Sequence, residues 1–118
     1  MSVLLAVISR MSSLRFKMKL VVKVHSKDGK TLVAVCDKDL LGSVFEEGDR
    51  ILDLSGDFYD GDEMSEEEAG DLIRNADIVN LVGVNAVKVG VDDDIIDEDA
   101  VQTVEGVPYA IGIVIEDE

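Results

Sequence analysis

The strongest structural signal in this sequence is an alternating run at residues 17–24. Lys17, Lys19 and Lys23 alternate with aliphatic residues at positions 18, 20, 22 and 24. A period of two is typical of a strand with one buried face and one face in water. An Asp28-Gly29 pair follows, and residues 31–36 are an uncharged run rich in β-branched side chains. This pattern predicts a β-hairpin whose second strand is central in a sheet.

A helix is indicated after Ser65. The Ser65 side chain can cap the first turn, and Glu68, three residues later, completes a capping box. Apolar residues then recur at helical spacing at positions 69, 72, 73 and 76. Three glutamates at the start of this segment and Arg74 near its end complement the helix dipole. The sequence therefore predicts one amphipathic helix here.

Residues 77–91 have two interpretations. Their valine content favours a strand, whereas the spacing of Val84, Val87 and Val91 permits a helix. We expect a short strand at residues 78–81 and a helix from about Val84. Residues 101–104 and 107–115 flank a Glu105-Gly106 turn and predict a second hairpin. The fold class expected is a single α+β domain over residues 18–118, with a small, mostly antiparallel sheet and one or two short helices.

Residues 1–17 form an N-terminal extension with two interpretations. In the first, the apolar segment at residues 3–8 adds a strand or makes a dimer contact. In the second, translation starts at Met11 or Met18, and the start of the sequence is mis-annotated. If residues 3–8 make a dimer contact, deletion of residues 1–16 should leave a monomer. The sequence thus allows a homo-oligomer.

Charge and composition narrow the classes of partner. The 118-residue chain has a formal net charge of −15, and only 4% of its residues are aromatic, with no Trp. Residues 1–38 carry eight Lys/Arg against two carboxylates, whereas residues 39–118 carry three against twenty-four. This balance disfavours DNA, RNA and anionic membranes, and aromatic base-stacking platforms are scarce. Direct nucleic-acid contact is expected only locally, through the basic N-terminal part.

Several site chemistries are excluded or disfavoured. The single cysteine, Cys36, cannot form an internal disulfide, which suits a reducing compartment such as the cytoplasm. The sequence has no run of about 18 apolar residues, so no membrane span is expected. We therefore expect a cytoplasmic protein. One histidine, His25, and one cysteine cannot hold zinc, and no glycine-rich nucleotide fingerprint is present. A Cys36–His25 dyad is not expected, because His25 flanks the turn and Cys36 lies at the far end of the hairpin. No cofactor is predicted, and no catalytic residues are assigned.

An acidic run offers the one candidate metal site. Asp92, Asp93 and Asp94, with the carboxylates at positions 97–99, provide oxygen ligands suited to Ca²⁺ or Mg²⁺. Their spacing fits no EF-hand, which needs acidic residues at alternate positions, a glycine and a distal glutamate. A solvated acidic loop is the expected role, with metal binding as the alternative.

A family resemblance rests on several short motifs taken together. They are Val33-Ala-Val-Cys-Asp37, Leu41-Gly42, Phe58-Tyr59, Asn80-Leu-Val-Gly83 and Gly106-Val-Pro108-Tyr109-Ala. Over about residues 18–115 the chain resembles an archaeal family of small proteins of unknown function, numbered 424. The resemblance implies an archaeal setting and a role near translation, and it brings no activity with it. Archaeal cytosols rich in salt or adapted to heat also favour acidic surfaces without any cationic partner.

Three functions remain open. We expect a non-catalytic protein-interaction module, an accessory to translation or to a ribonucleoprotein, whose protein partner is captured in a salt-sensitive way. A divalent-metal enzyme built on carboxylates is the first alternative, and a structural oligomer subunit is the second. Candidate binding residues are the basic strand positions Lys17, Lys19 and Lys23, together with Asn80, Gly83, Gly106, Pro108 and Tyr109. The last five most readily serve backbone geometry, and a binding groove beside them is the alternative.

Overall fold

The structure, a computed structural model, describes residues 19–114. Expectations for Lys17 and the rest of the N-terminal extension lie outside this range. The strands are β1 Leu20–Lys27, β2 Lys30–Asp37, β3 Val44–Glu47, β4 Arg50–Asp53, β5 Asp62–Met64, β6 Ile78–Val82, β7 Gln102–Val104 and β8 Val107–Ile113. The helices are α1 Glu66–Arg74 and α2 Val84–Asp92, and 3₁₀ turns occupy Lys38–Leu40 and Glu98–Ala100.

Six strands form the main sheet in the order β5-β1-β2-β6-β8-β7, and β3 pairs with β4 in a separate two-stranded sheet. All neighbours in the main sheet are antiparallel except β2 and β6, which are parallel. The predicted mixed fold with a mostly antiparallel sheet and two helices is thus confirmed. The sheet is larger than the small one expected.

Both predicted hairpins are present. β1 and β2 pair along their whole length around Asp28 and Gly29, whose φ angles of 55° and 77° fit a two-residue hairpin turn. Glu105 and Gly106 turn in the same way between β7 and β8. β2 lies between β1 and β6, which confirms its central position.

The two helices cover one face of the sheet. α1 begins with the predicted capping box, in which the Glu68 amide donates to Ser65 Oγ at 3.2 Å and the Ser65 amide donates to Glu68 Oε1 at 3.3 Å. Both helices bury small and aliphatic residues against the sheet, including Ala69, Ile73 and Ala86. Full burial of each larger aliphatic side chain in this layer contributes about 1.5–3 kcal/mol.

The other face of the sheet is covered over part of its area by the β3–β4 hairpin. Val21, Cys36 and Val82 of the main sheet are buried there against Leu54, with Phe45 and other apolar residues packed around them. The Glu46 amide donates to Glu105 Oε2 at 3.0 Å, and the Glu105 amide donates to Glu47 Oε1 at 2.7 Å. These reciprocal bonds join the small hairpin to the β7–β8 turn.

Within residues 19–114, neither helix has the length and apolar character needed to cross a bilayer.

Candidate functional site

The face opposite the helices aligns side chains in rows across β1, β2, β6 and β8. The row beneath the β3–β4 hairpin holds Val21, Cys36, Val82 and Tyr109. The next two rows, which we name the open face, hold Lys23, Ala34, Asn80 and Ile111, then His25, Leu32, Ile78 and Ile113. Strand periodicity directs all eight open-face side chains to the same side of the sheet.

The open face changes in character from one side to the other. Its β1 side carries the half-buried Lys23 and His25. Its β8 side carries Ile111 and Ile113, whose exposed fractions are 68% and 72%. Contiguous exposed apolar patches on a protein surface commonly mark interaction sites. The surface therefore pairs an apolar half with a cationic border.

An aromatic contact borders the open face at β1. The rings of His25 and Phe58 stack with centroids 4.5 Å apart, and Phe58 meets Tyr59 edge-on at 5.0 Å. His25 Nε2 lies 2.8 Å from the Phe58 carbonyl oxygen, which fits a hydrogen bond donated by the ring. The loop between β4 and β5 is thereby held against β1. The Phe58-Tyr59 pair in an aromatic-poor sequence was the available signal for this contact.

The lysine candidates do not form one compact cluster. Lys23 lies on the open face, and Lys19 is exposed just before β1, where its carbonyl oxygen accepts from the Lys38 amide at 2.7 Å. Four residues along a strand separate these two lysines by about 13 Å. Lys17 lies outside the described residues.

Three of the β6–β8 candidates lie together at the end of β6. The Gly83 amide donates to the Pro108 carbonyl oxygen at 2.8 Å, and Tyr109 pairs with Val82 across the ladder. The Tyr109 hydroxyl donates to Gln102 Oε1 at 2.7 Å. Gly106 lies in the β7–β8 turn with φ 79°.

Asn80 lies on the open face, in the row below Val82 and Tyr109. Its Oδ1 atom is buried and has no hydrogen-bond partner within the described part of the chain. A buried carbonyl without a donor carries a free-energy cost of about 1–3 kcal/mol. Asn80 is therefore the open-face residue most in need of a donor.

Asp37 is a central residue that sequence reasoning missed. It ends β2 with 5% exposure, and its carboxylate receives three hydrogen bonds from the first turn of α2. Oδ1 accepts from the Ala86 amide at 2.9 Å, and Oδ2 accepts from the Asn85 amide at 3.1 Å and from Asn85 Nδ2 at 3.2 Å. Asp37 thus caps a helix that begins 47 residues later in the sequence.

The close approach of Asp37 explains why residue 83 is a glycine. Gly83 has φ 108°, and a Cβ atom at this position would lie 2.4 Å from Asp37 Cγ. Burial raises the pKa of Asp37 above its ordinary value, and the hydrogen bonds from Ala86 and Asn85 oppose part of that rise. Helix N-termini favour anions, and here the chain's own carboxylate occupies that position. The start of α2 is consequently a structural joint and no phosphate site.

The acidic candidates for a metal site are engaged separately. Asp92 Oδ2 lies 3.1 Å from Lys88 Nζ, and Asp93 Oδ2 lies 2.8 Å from Arg74. Asp94 adopts a positive φ of 59° just beyond α2. Across residues 19–114, no three potential His, Cys, Asp or Glu ligands converge on one point. The acidic groove of about 440 Å³ between the helices is lined by Glu66, Glu67, Asp71, Arg74, Val89, Asp92 and Asp93.

Cys36 has the properties of a core residue. It is 0% exposed, and burial, with a further contribution from the Asp37 charge, raises the pKa of its thiol to about 12. His25 pairs with Leu32, four residues from Cys36 along β2 and so about 13 Å away. The two side chains are therefore too far apart to share a hydrogen bond. The thiol stays protonated at neutral pH, when a nucleophile would need the thiolate.

The fold and site define a small α+β protein in which one face of the main sheet carries exposed aliphatic side chains. Residues 24–115 match the family described as "Protein of unknown function (DUF424)". The chain belongs to this family, as its sequence motifs predicted.

A solved relative has the same fold. The chain is similar to an uncharacterized conserved protein from the archaeon Methanopyrus kandleri, whose crystal structure aligns with a TM-score of 0.70 and 28% sequence identity. The alignment covers 84% of this chain and 96% of the relative. No curated protein matches the chain.

Proposed function

We propose that this protein is a non-catalytic protein-interaction module that binds its partner through the open face. The proposal rests on the exposure of Ile111 and Ile113 on β8, on the same side of the sheet as Lys23 on β1. Water contact at two neighbouring isoleucines is unfavourable, and covering them gains roughly 25 cal/mol per Å² of apolar surface. A partner that covers the open face therefore gains affinity from the apolar half and orientation from the cationic border.

The chemistry of the open face favours a protein over a nucleic acid. Its exposed large side chains are aliphatic, and a single His25–Phe58 stack borders it. Single-stranded nucleic acids are bound mainly on aromatic platforms within positively charged grooves. The net charge of −15 repels a polyanion over most of the surface.

The partner surface should combine apolar side chains with carboxylates. Carboxylates opposite Lys23 would be attracted to one of the few basic regions of an acidic molecule, which favours fast and correctly oriented encounter. We propose an archaeal cytoplasmic setting near translation or a ribonucleoprotein. Support for that setting comes from the family resemblance and from the archaeal source of the solved relative.

The test is capture of the tagged protein from native archaeal extract, with a charge-reversal variant and a matched control. Lys23→Glu reverses a charge on the open face, whereas Lys88→Glu makes the same reversal on α2, on the opposite side of the sheet. We expect wild type and Lys88→Glu to retain one stoichiometric protein, and Lys23→Glu to lose it. Raising the salt concentration should release the same protein, because surface charge attraction is screened.

Reconstitution with the identified partner completes the test. Titration calorimetry with the purified pair should show at least about a tenfold weaker Kd for Lys23→Glu, equivalent to about 1.4 kcal/mol. If Lys23→Glu and Lys88→Glu bound the partner with equal affinity, the open face would not be the binding surface. Loss of the captured protein on nuclease treatment would show that a nucleic acid bridges the two and would overturn direct protein binding.

A further inference from the structure

Strand β8 extends beyond its neighbour on one side. β6 pairs with β8 from Tyr109 to Ile113, whereas β7 pairs with it only from Val107 to Tyr109. From Ala110 onward, the side of β8 that faces away from β6 has no paired strand among the described residues. From Ala110 to Ile113, β8 is therefore an edge strand on the side away from β6. We call this segment the β8 edge.

The main-chain groups at this edge can be assigned from the register. The Gly83 amide bonds to the Pro108 carbonyl oxygen, and the Val114 amide bonds to the Asp77 carbonyl oxygen. In an antiparallel ladder, alternate residues direct N–H and C=O to opposite sides. Even-numbered residues of β8 therefore bond towards β6. Ile111 and Ile113 direct their N–H and C=O groups to the edge.

Other edges of the described sheet carry devices that discourage pairing. β5 covers β1 only up to Val22, and the strand beyond it carries Lys23 and Lys27. β5 itself is three residues long and begins with Asp62 and Glu63. Charged side chains and short edge strands are the usual means of preventing edge-to-edge association. The β8 edge has neither, and it presents two exposed isoleucines instead.

Charge singles out the same edge for contact with another copy of this chain. Two molecules of net charge −15 repel each other over most orientations, and like charges facing each other at an interface cost several kcal/mol. Residues 107–115 form an uncharged stretch of sequence. The β8 edge is thus a strip at which two copies can approach without opposing carboxylates on the paired strands.

We propose that the protein forms a two-fold symmetric homodimer through antiparallel pairing of the β8 edges. Centring the pair on Gly112 places Ile111 of each copy opposite Ile113 of the other and uses the edge-directed groups of both. Each of these two pairs exchanges two main-chain hydrogen bonds, and the same surface serves both copies, as a two-fold interface requires. Registers centred elsewhere engage Tyr109, which already pairs with β7, or residue 115.

The dimer joins two six-stranded sheets into one continuous sheet. Four isoleucines, Ile111 and Ile113 from each copy, then pack together on the side of the open face. The contact is smaller than the roughly 800 Å² per partner of a standard interface, so we expect a Kd on the order of 10–100 μM. Salt should strengthen the dimer, because it screens repulsion between two acidic molecules.

Sedimentation velocity of the full chain tests the proposal over a concentration series from about 5 to 500 μM, which brackets the expected Kd. Wild type and Ile111→Val should shift from monomer to dimer across this series. Ile111→Lys should stay monomeric, because each copy would place a charged side chain against Ile113 of the other. Ile111→Pro should also stay monomeric, since proline removes an N–H group that points to the edge and not to β6. Far-UV circular dichroism checks that the variants fold.

A register-specific measurement adds a readout independent of these variants. In a mixed dimer of ¹³C-labelled and unlabelled chains, Gly112 should show an intermolecular Hα–Hα cross-peak, because non-hydrogen-bonded antiparallel pairs have Cα atoms about 4.5 Å apart. A wild-type monomer over the whole series would overturn the proposal. A dimer that persists in folded Ile111→Lys would overturn it too and would move the interface elsewhere, for example to the N-terminal extension.

The dimer and the proposed partner contact both use Ile111 and Ile113, and a variant at Lys23 distinguishes them. Lys23→Glu should leave the dimer intact, because Lys23 lies on β1 and is separated from β8 by two strands. Salt also acts in opposite directions, since it releases the captured partner and strengthens the dimer. A monomer that still captures its partner would remove the dimer alone.

Discussion

Cys36 and Tyr59 hold their protons more tightly than usual. Both contribute to the cluster beneath the β3–β4 hairpin. Burial raises the pKa of the Cys36 thiol from 9.0 to about 12, and it raises the pKa of the Tyr59 hydroxyl from 10.0 to about 12. In the unfolded chain both groups ionise near their ordinary values. The folded protein then binds more protons than the unfolded chain at alkaline pH.

We predict that stability falls as pH rises above about 9. Between pH 9.0 and about 12 the unfolded chain releases the Cys36 proton while the folded protein retains it, which costs up to about 1.4 kcal/mol per pH unit for each such group. Below pH 9 this contribution is absent. Urea unfolding at several pH values measures the slope, and Cys36→Ala should make it shallower. An equal slope in wild type and Cys36→Ala would show that the thiol ionises as readily in the folded state.

Among the secondary-structure elements, the hydrogen bonds of Asp37 connect the end of β2 to the start of α2, directly after β6. The Asp37 carboxylate at the end of β2 caps α2, and Gly83 allows this close approach. Because β2 and β6 are parallel, their carboxyl ends lie at the same edge of the sheet. One side chain therefore positions a strand and a helix at once.

We predict that Gly83→Ala destabilises the protein far more than Gly106→Ala. Both glycines have positive φ, which costs an alanine about 1–2 kcal/mol, but Gly106 has open space around it and Gly83 contacts Asp37. Gly83→Ala should add the loss of the Asp37 cap, for a total of about 3–5 kcal/mol. The midpoints of urea unfolding at pH 7 measure both changes. Similar losses for the two variants would mean that Asp37 moves aside at little cost.

Local signals predicted the elements that are stabilised locally. The β1–β2 hairpin, the β7–β8 hairpin and α1 each carry their turn or cap within a few residues, so the sequence was sufficient. The strand at residues 78–81 and the helix from Val84 were also correctly predicted, although their pattern was ambiguous. β3 and β5 were not, because a three-residue strand such as Asp62–Met64 exists through its pairing with β1.

The sequence predicted those parts of the candidate site that depend on local patterns. The alternation around Lys23 predicted a polar strand face, and the C-terminal hairpin placed Ile111 in a strand. Nothing local indicates that these residues share a row, because that row depends on the β2–β6 and β6–β8 registers. The Asp37 cap was missed because its donors, Asn85 and Ala86, are distant in sequence.

At the scale of the whole molecule, charge is unevenly distributed. The formal net charge is −15, and the acidic residues are concentrated after residue 38. Excess charge of one sign keeps a protein soluble but destabilises the compact state through self-repulsion. The ion pairs of the described part are mostly exposed, such as Lys38 with Glu63, and each contributes little.

We predict that KCl raises the thermal stability of the monomer at dilute protein concentration. Screening of the carboxylates should raise Tm by on the order of 5 °C, since about 1 kcal/mol corresponds to several degrees for a domain of this size. The double variant Glu98→Gln/Asp99→Asn removes two exposed charges and should show a smaller gain, from a higher Tm at low salt. Scanning calorimetry below about 5 μM keeps the dimer out of the measurement. A Tm independent of KCl would show that the carboxylates do not limit stability.

The parallel pairing of β2 with β6 also matters while the chain is being made. Leu32 pairs with Ile78, so β2 lacks its second neighbour until about 40 further residues have left the ribosome. Meanwhile the β1–β2 hairpin can close within microseconds, which leaves a long aliphatic strand with one unsatisfied side. Parallel pairing is slow because a long loop must close first. The nascent chain thus passes through a stage at which its future core strand can pair with a neighbouring polypeptide, and the rate of translation between β2 and β6 sets how long that exposure lasts.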